Sequence, residues 1–175
     1  LTLDDIGPAA ASTNENVVID IAGANVSDLN ITSANDSFVV LENSGASIST
    51  INIAGSGTLS LIGALPNSIT TINAGTSSTS FTVSTGTAGA TITGSSANDV
   101  IVLGGGTNNV DSGNGNDTIT LSTGNDTVNT GSGSDTVTAS SGTNNITTGA
   151  SGDQITLSGG TNTVNSGASN DQLTI

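Results

Sequence analysis

The chain has 175 residues, with 14 acidic side chains and no Lys, Arg or His, giving a formal net charge of −14. That balance excludes nucleic acid and anionic membrane surfaces as partners, because contacts to phosphate need Lys or Arg. There is no Cys for disulfides, and two Phe with no Trp, Tyr or Met supply too little bulk for a globular core of ordinary thickness.

An acidic chain without cations of its own either stays disordered or takes cations from solution. Disorder is disfavoured here, because a third of the residues are apolar and they recur at a fixed interval. No apolar run approaches the ~20 residues that span a bilayer, so membrane insertion is not expected. No basic segment opens the chain, so no conventional signal peptide is expected. Its start at Leu1 reads as a processed product or a fragment.

In chain order, residues 1–15, with Pro8 followed by Ala9, Ala10 and Ala11, read as a connecting arm. Residues 16–93 read as irregular rungs of a β-solenoid. "TSANDSFVVL" at Thr32–Leu41 nearly duplicates "SSANDVIVL" at Ser95–Leu103. Between them, "ISTINIAGSGTLSLIG" and "ITTINAGTSSTSFTVSTG" give paired short strands. Corresponding aliphatics are read as Ile53, Ile72, Ile92 and Val110. Pro66 is placed at a corner, where its missing N–H does no harm.

Residues 94–175 run in nine-residue units without a slip, continuous with the preceding rungs. One column is Asp99, Asn108, Asp117, Asp126, Asp135, Asn144, Asp153, Asn162 and Asp171. Two residues after each stands an aliphatic: Ile101, Val110, Ile119, Val128, Val137, Ile146, Ile155, Val164 and Leu173. Two residues before each stands a small residue, Gly in six of nine units. A second period of 18 lies over the first. Leu103, Leu121, Ala139, Leu157 and Ile175 alternate with Ser112, Thr130, Thr148 and Ser166 at the same place in the unit. Two units therefore make one turn, with one wall burying two aliphatics per rung and the other burying one aliphatic and a hydroxyl.

These residues resemble the RTX (repeats-in-toxin) nonapeptide, G-G-x-G-x-D-x-U-x with U aliphatic, most closely in "SGNGNDTIT" (Ser112–Thr120) and "TGSGSDTVT" (Thr130–Thr138). The resemblance implies an all-β, right-handed parallel β-solenoid, a β-roll in which each unit forms a six-residue turn and a short strand. It also implies calcium binding, and a bacterial protein exported by a type I system that folds outside the cell. Composition is similar in style to RTX-type surface-layer proteins, rich in Thr, Ala, Ser, Gly and Asn.

The two turn edges differ. One stacks Asp99, Asp117, Asp135, Asp153 and Asp171; the other stacks Asn108, Asp126, Asn144 and Asn162. Rungs about 4.8 Å apart place five like charges in a row, which cannot all stay ionised without cations among them. Ca²⁺ accepts six to eight hard oxygen ligands and can bridge carboxylates of successive rungs. Up to about four ions are expected between the five Asp rungs. Supporting carbonyls are expected from the turns around Gly113, Gly115, Gly131, Gly133, Gly149 and Gly167, where glycine permits positive φ. The plain alternative is a set of solvated turns, since Asp and Asn suit turns in any case. Asp126 is a weaker candidate with a single charge, amide stacking being the better reading of its edge. Asp36 is weaker still, having no second carboxylate nearby. Asp4, Asp5, Glu15, Glu42 and Asp111 read as surface charge.

Catalysis is not expected. Ser and Thr have no His, Cys, Lys, Arg or Tyr to activate them, and the paired carboxylates follow from rung spacing. The first functional reading is a secreted, calcium-dependent structural subunit of a surface layer or extracellular filament, self-associating as a homo-oligomer. The last unit stops at Ile175 in mid-rung, so either further chain or another subunit is expected to cover it. The alternatives are a calcium-stiffened segment of an RTX adhesin, with ice binding as a special case, and the secretion and folding module of an RTX toxin or protease.

Overall fold

The computed structural model describes residues 1–4, 17–20, 26–42 and 47–175. Its strands form where β-branched residues flank an inward aliphatic, as in Thr118-Ile119-Thr120, and they end at Gly-, Asn- and Ser-rich turns. Successive strands alternate between two sheets. One contains β1 (Thr2–Asp4), β3 (Asp28–Ser33), β5 (Thr50–Gly55), β7 (Thr71–Asn73), β9 (Thr91–Thr93), β11 (Asn109–Asp111), β13 (Thr127–Asn129), β15 (Thr143–Thr147) and β17 (Thr161–Asn165). The other contains β2 (Val17–Asp20), β4 (Ser37–Glu42), β6 (Leu59–Ala64), β8 (Phe81–Ser84), β10 (Val100–Val102), β12 (Thr118–Leu121), β14 (Thr136–Ala139), β16 (Gln154–Leu157) and β18 (Gln172–Thr174). Each strand pairs in parallel with the next of its own sheet. The fold is an all-β parallel solenoid of about eight turns.

In the repeat region the register advances by 18 residues per turn: Ile101 faces Ile119, then Val137, then Ile155, and Val110 faces Val128, then Ile146. These side chains are buried, as are Leu103, Leu121, Ala139 and Leu157 one step further along the same wall. Each large aliphatic contributes about 1.5–3 kcal/mol by leaving water. On the opposite wall Ser112, Thr130 and Thr148 are also fully buried. The hydroxyls of Ser112 and Thr148 donate to the carbonyls of Thr130 and Ser166 in the next rung, and the Thr130 hydroxyl lies between the Thr148 carbonyl and the Asp135 carboxylate, so burial leaves no lone donor.

The earlier rungs are longer. Asp28 pairs with Thr50, Thr50 with Thr71, Thr71 with Thr91, and only then Thr91 with Asn109. This register corrects one alignment: the inward column is Leu29, Ile51, Ile72, Ile92 and Val110, with Ile51 rather than Ile53 beside Ile72. Ile53 pairs with Ile31 in a second buried column that the three-residue strand β7 does not continue. Both sheets run across residues 93 and 94 without a break. Thr2–Asp4, within the stretch expected to be a connecting arm, pairs with β3; the remainder of that stretch, 5–15, lies outside the described residues.

Candidate metal edge

Turns leading from the first sheet into the second carry Asp99, Asp117, Asp135, Asp153 and Asp171, each just ahead of its strand. The parallel register aligns them in one column along the stack. The first four are buried, each only 1 % exposed, and Asp171 is half-buried. Each carboxylate commits one oxygen to the backbone of the preceding rung. Oδ1 of Asp99 accepts the Phe81 N–H at 3.0 Å, and Oδ1 of Asp117 accepts the Asp99 N–H at 2.9 Å. Oδ1 of Asp135 accepts the Asp117 N–H at 2.8 Å, Asp153 that of Asp135 at 2.9 Å, and Asp171 that of Asp153 at 3.1 Å.

The second oxygens are not equivalent. Asp99 Oδ2 accepts the Ser95 N–H, and Asp135 Oδ2 accepts the Thr130 hydroxyl. Asp117 Oδ2 and Asp153 Oδ2 are buried without a well-formed hydrogen bond, although the Ser112 hydroxyl lies near enough to Asp117 to offset part of the cost of its burial. Burial pushes the carboxyls of Asp99, Asp117 and Asp135 up, Asp117 to about 6 from 3.8. Repulsion from Asp99 and Asp135 adds to the rise at Asp117, and repulsion from Asp153 adds to that at Asp135. Desolvation is the larger cause, so the spacing of charges understates what it costs to ionise this column.

The opposite edge is an internal control. Asn108 Oδ1 accepts the Ala90 N–H, Asp126 Oδ1 the Asn108 N–H, and Asn144 Oδ1 the Asp126 N–H. This is the same ladder, built largely from amides. The amides' nitrogens find acceptors: Asn144 Nδ2 donates to Ser141 O and Asn162 Oδ1, Asn162 Nδ2 to Gly159 O, and Asn108 Nδ2 to Asp126 Oδ1. Asp126, the lone carboxylate there, is buried with Oδ2 unpartnered. An amide is thus enough to hold a rung to its neighbour, and the Asp edge uses charge where the ladder alone does not require it.

The glycines named from sequence all have positive φ: Gly113 (99°), Gly115 (118°), Gly131 (88°), Gly133 (133°), Gly149 (90°) and Gly167 (81°). Rungs approach closely there, and a Cβ on Gly133 would stand 1.8 Å from the Gly115 carbonyl oxygen. The carbonyls of Gly113, Gly131 and Gly149 run along the stack and accept the N–H groups of Ser132, Ala150 and Ala168. A cation therefore reaches them through the second lone pair.

Asp36 does not join the column. The near-duplicate sequence aligns it with Asp99, but Asp99 stacks on Phe81, Leu59 and Ser37 in turn. Asp36 falls one place short, exposed, with Oδ1 accepting the Thr58 N–H, which holds its carboxyl below the usual range. Asp111 and Glu42 are exposed, as expected. Two features were not read from the sequence. An outer ladder runs beside the Asp column, where Asn98 Oδ1 accepts the Asn116 N–H and Asn116 Oδ1 the Ser134 N–H. On the outer face of the first sheet, Asn73 donates to Asn52 and Asn52 to Asn30. The repeated Asn of "SANDV" and "GNGND", and of "TINI" and "TINA", is the signal that marks them.

A family model for the RTX calcium-binding nonapeptide repeat matches four stretches, residues 85–119, 114–146, 121–155 and 138–173, together just over half of the chain. The chain belongs to the RTX repeat family. No curated protein and no solved structure matches it. RTX repeats bind calcium by definition of the family and are typical of secreted proteins. The Asp edge fits such an ion. The buried oxygens Asp117 Oδ2 and Asp153 Oδ2, without a well-formed hydrogen bond, are hard anionic ligands, and the positive-φ turns that precede these residues supply carbonyls on the same edge. Among the described residues no three acidic groups converge at one point, so an ion here draws the rest of its oxygens from the backbone or from water.

Proposed function

We propose that this RTX roll is a calcium-dependent structural and assembly module of a secreted bacterial surface-layer or filament protein, closing when it meets calcium outside the cell. The observation that carries the reading is the contrast between edges. The same backbone ladder is built from amides and the single carboxylate Asp126 on one side, and on the other from five consecutive carboxylates, of which Asp117 and Asp153 each keep a buried oxygen without a well-formed hydrogen bond. Calcium is held along Asp99, Asp117, Asp135, Asp153 and Asp171, with carbonyls from the turns at Gly113, Gly115, Gly131, Gly133, Gly149 and Gly167. It supplies the positive charge that desolvated carboxylates lack. The ion's binding free energy then becomes folding free energy for the roll. Asp126 is at most a single-carboxylate site, and Asp36 is not proposed as a ligand.

The role is non-catalytic. Serine and threonine hydroxyls here donate to carbonyls or carboxylates, and the segment has no His, Cys, Lys, Arg or Tyr to make one nucleophilic. A second reading, an RTX adhesin segment that contacts ice, is favoured by one observation: Thr120, Thr138, Thr156 and Thr174 stand in register on the outer face of the second sheet. Circular dichroism during a calcium titration tests the switch, and EGTA should reverse the gain in β-signal. Electron microscopy of the calcium-loaded protein tests the assembly role, with sheets or fibres supporting it and isolated rods opposing it. Thermal hysteresis would instead favour the ice-binding reading.

A further inference from the structure

Asn114-Gly115 is the single Asn-Gly step in the sequence, and it lies in the turn between Ser112 and Asp117 on the carboxylate edge. An asparagine followed by glycine is chemically labile, because no side chain shields the next amide nitrogen. That nitrogen attacks the side-chain carbonyl carbon, ammonia leaves, and a succinimide ring closes. Water then opens the ring at either carbonyl, giving aspartate or, with the backbone lengthened by one carbon, isoaspartate. The reaction needs water alone as co-reactant and no change of oxidation state.

In the stack, both reacting groups are tied to one residue of the next rung. The Gly115 N–H, which must give up its proton, donates to the Ser132 carbonyl at 2.9 Å. The Asn114 side-chain oxygen accepts the Ser132 hydroxyl at 2.6 Å. A backbone bridge joins Asn114 to Ser132, and Gly115 is held at φ 118°. Asn114 itself is exposed, so access by water does not limit the reaction; geometry does.

We propose that Asn114 is a self-modification site, locked while the rungs are stacked and released when they part, so that the chain keeps an irreversible record of time spent open. Conversion to isoaspartate lengthens the turn between Gly113 and Gly115 and removes the bridge to Ser132. A converted chain therefore restacks this rung poorly. Conversion to aspartate places one more carboxylate beside a column already rich in charge. The link from calcium to this lock rests on the proposed calcium switch; the lock itself rests only on the stacking geometry.

The test incubates the full chain at mildly alkaline pH under three conditions, calcium, EGTA, and urea with calcium, and follows each asparagine by peptide mapping and mass spectrometry. In urea Asn114 is expected to convert ahead of every other asparagine. In calcium its conversion is expected to be more than about tenfold slower, since reaction must wait for local opening. Equal rates in calcium and urea, or another asparagine leading in urea, would overturn the proposal. If EGTA matches calcium while urea converts rapidly, the lock stands and the calcium switch is what fails.

Discussion

At Asp135 two tasks meet in one side chain. Oδ1 holds the Asp117 N–H, and the charge belongs to the column that calcium is proposed to bridge. Substitution separates them. Asp135→Asn keeps an acceptor for the N–H, as Asn108 and Asn144 do on the other edge. It should keep the fold in high calcium while weakening the two ion sites that share residue 135, read as lower stoichiometry by calorimetry. Asp135→Ala also orphans the Asp117 N–H, adding about 1–3 kcal/mol of destabilisation. Asn144→Ala should leave the calcium stoichiometry unchanged. Protonation is the other way to relieve the column. Burial raises the Asp117 carboxyl to about 6 from 3.8, so in metal-free protein this group favours the stack below 3.8 and withdraws that support as pH rises through about 6. Metal-free protein should therefore gain β-signal on acidification across this window, and saturating calcium should remove the gain. Ser151 has φ 83° at the place where Gly115 and Gly133 stand in earlier rungs. Ser151→Gly should raise stability by about 1 kcal/mol, read from the thermal midpoint, because serine is strained there and glycine is not.

Between elements the roll and the preceding rungs differ in what closes them. Ahead of Asp99, its column continues as Phe81, Leu59 and Ser37, with no carboxylate. Strands β3, β5 and β6 each bury two aliphatics: Leu29 with Ile31, Ile51 with Ile53, and Leu59 with Leu61. In EGTA, hydrogen exchange of the whole chain should stay slow in β3 to β8 and become fast from β12 onward; uniform loss of protection would contradict this division. The repeat region was legible because its period never slips, so Ile101, Ile119, Val137 and Ile155 could be stacked by counting. The longer rungs were not. Likeness between "SANDS" and "SANDV" suggested pairing Asp36 with Asp99, but strand register, fixed by which residues face the core, put Ser37 there instead. Counting also located the carboxylates without showing that they turn inward. That depends on Oδ1 replacing a backbone acceptor, a pairing no one-dimensional spacing displays. The hydroxyl column at Ser112, Thr130 and Thr148 was visible as a period of 18, and its bonds to the next rung's carbonyls supply the reason for it.

Across the whole molecule, charge is sorted by position. In residues 94–175 six of the seven acidic side chains stand in the two turn columns, and only Asp111 faces outward from a strand. Calcium on the Asp edge would leave Thr- and Asn-covered faces almost free of net charge, removing the repulsion that keeps like-charged chains apart. Sedimentation should therefore show self-association that rises with calcium well beyond what an equal ionic strength of monovalent salt produces. The central claim is that cations occupy the carboxylate column and spare the amide one. Anomalous diffraction from crystals grown in calcium tests it most directly. Peaks should lie along Asp99 to Asp171 and be absent between Asn144 and Asn162; a carboxylate column without metal, or equal peaks on both edges, would contradict the account.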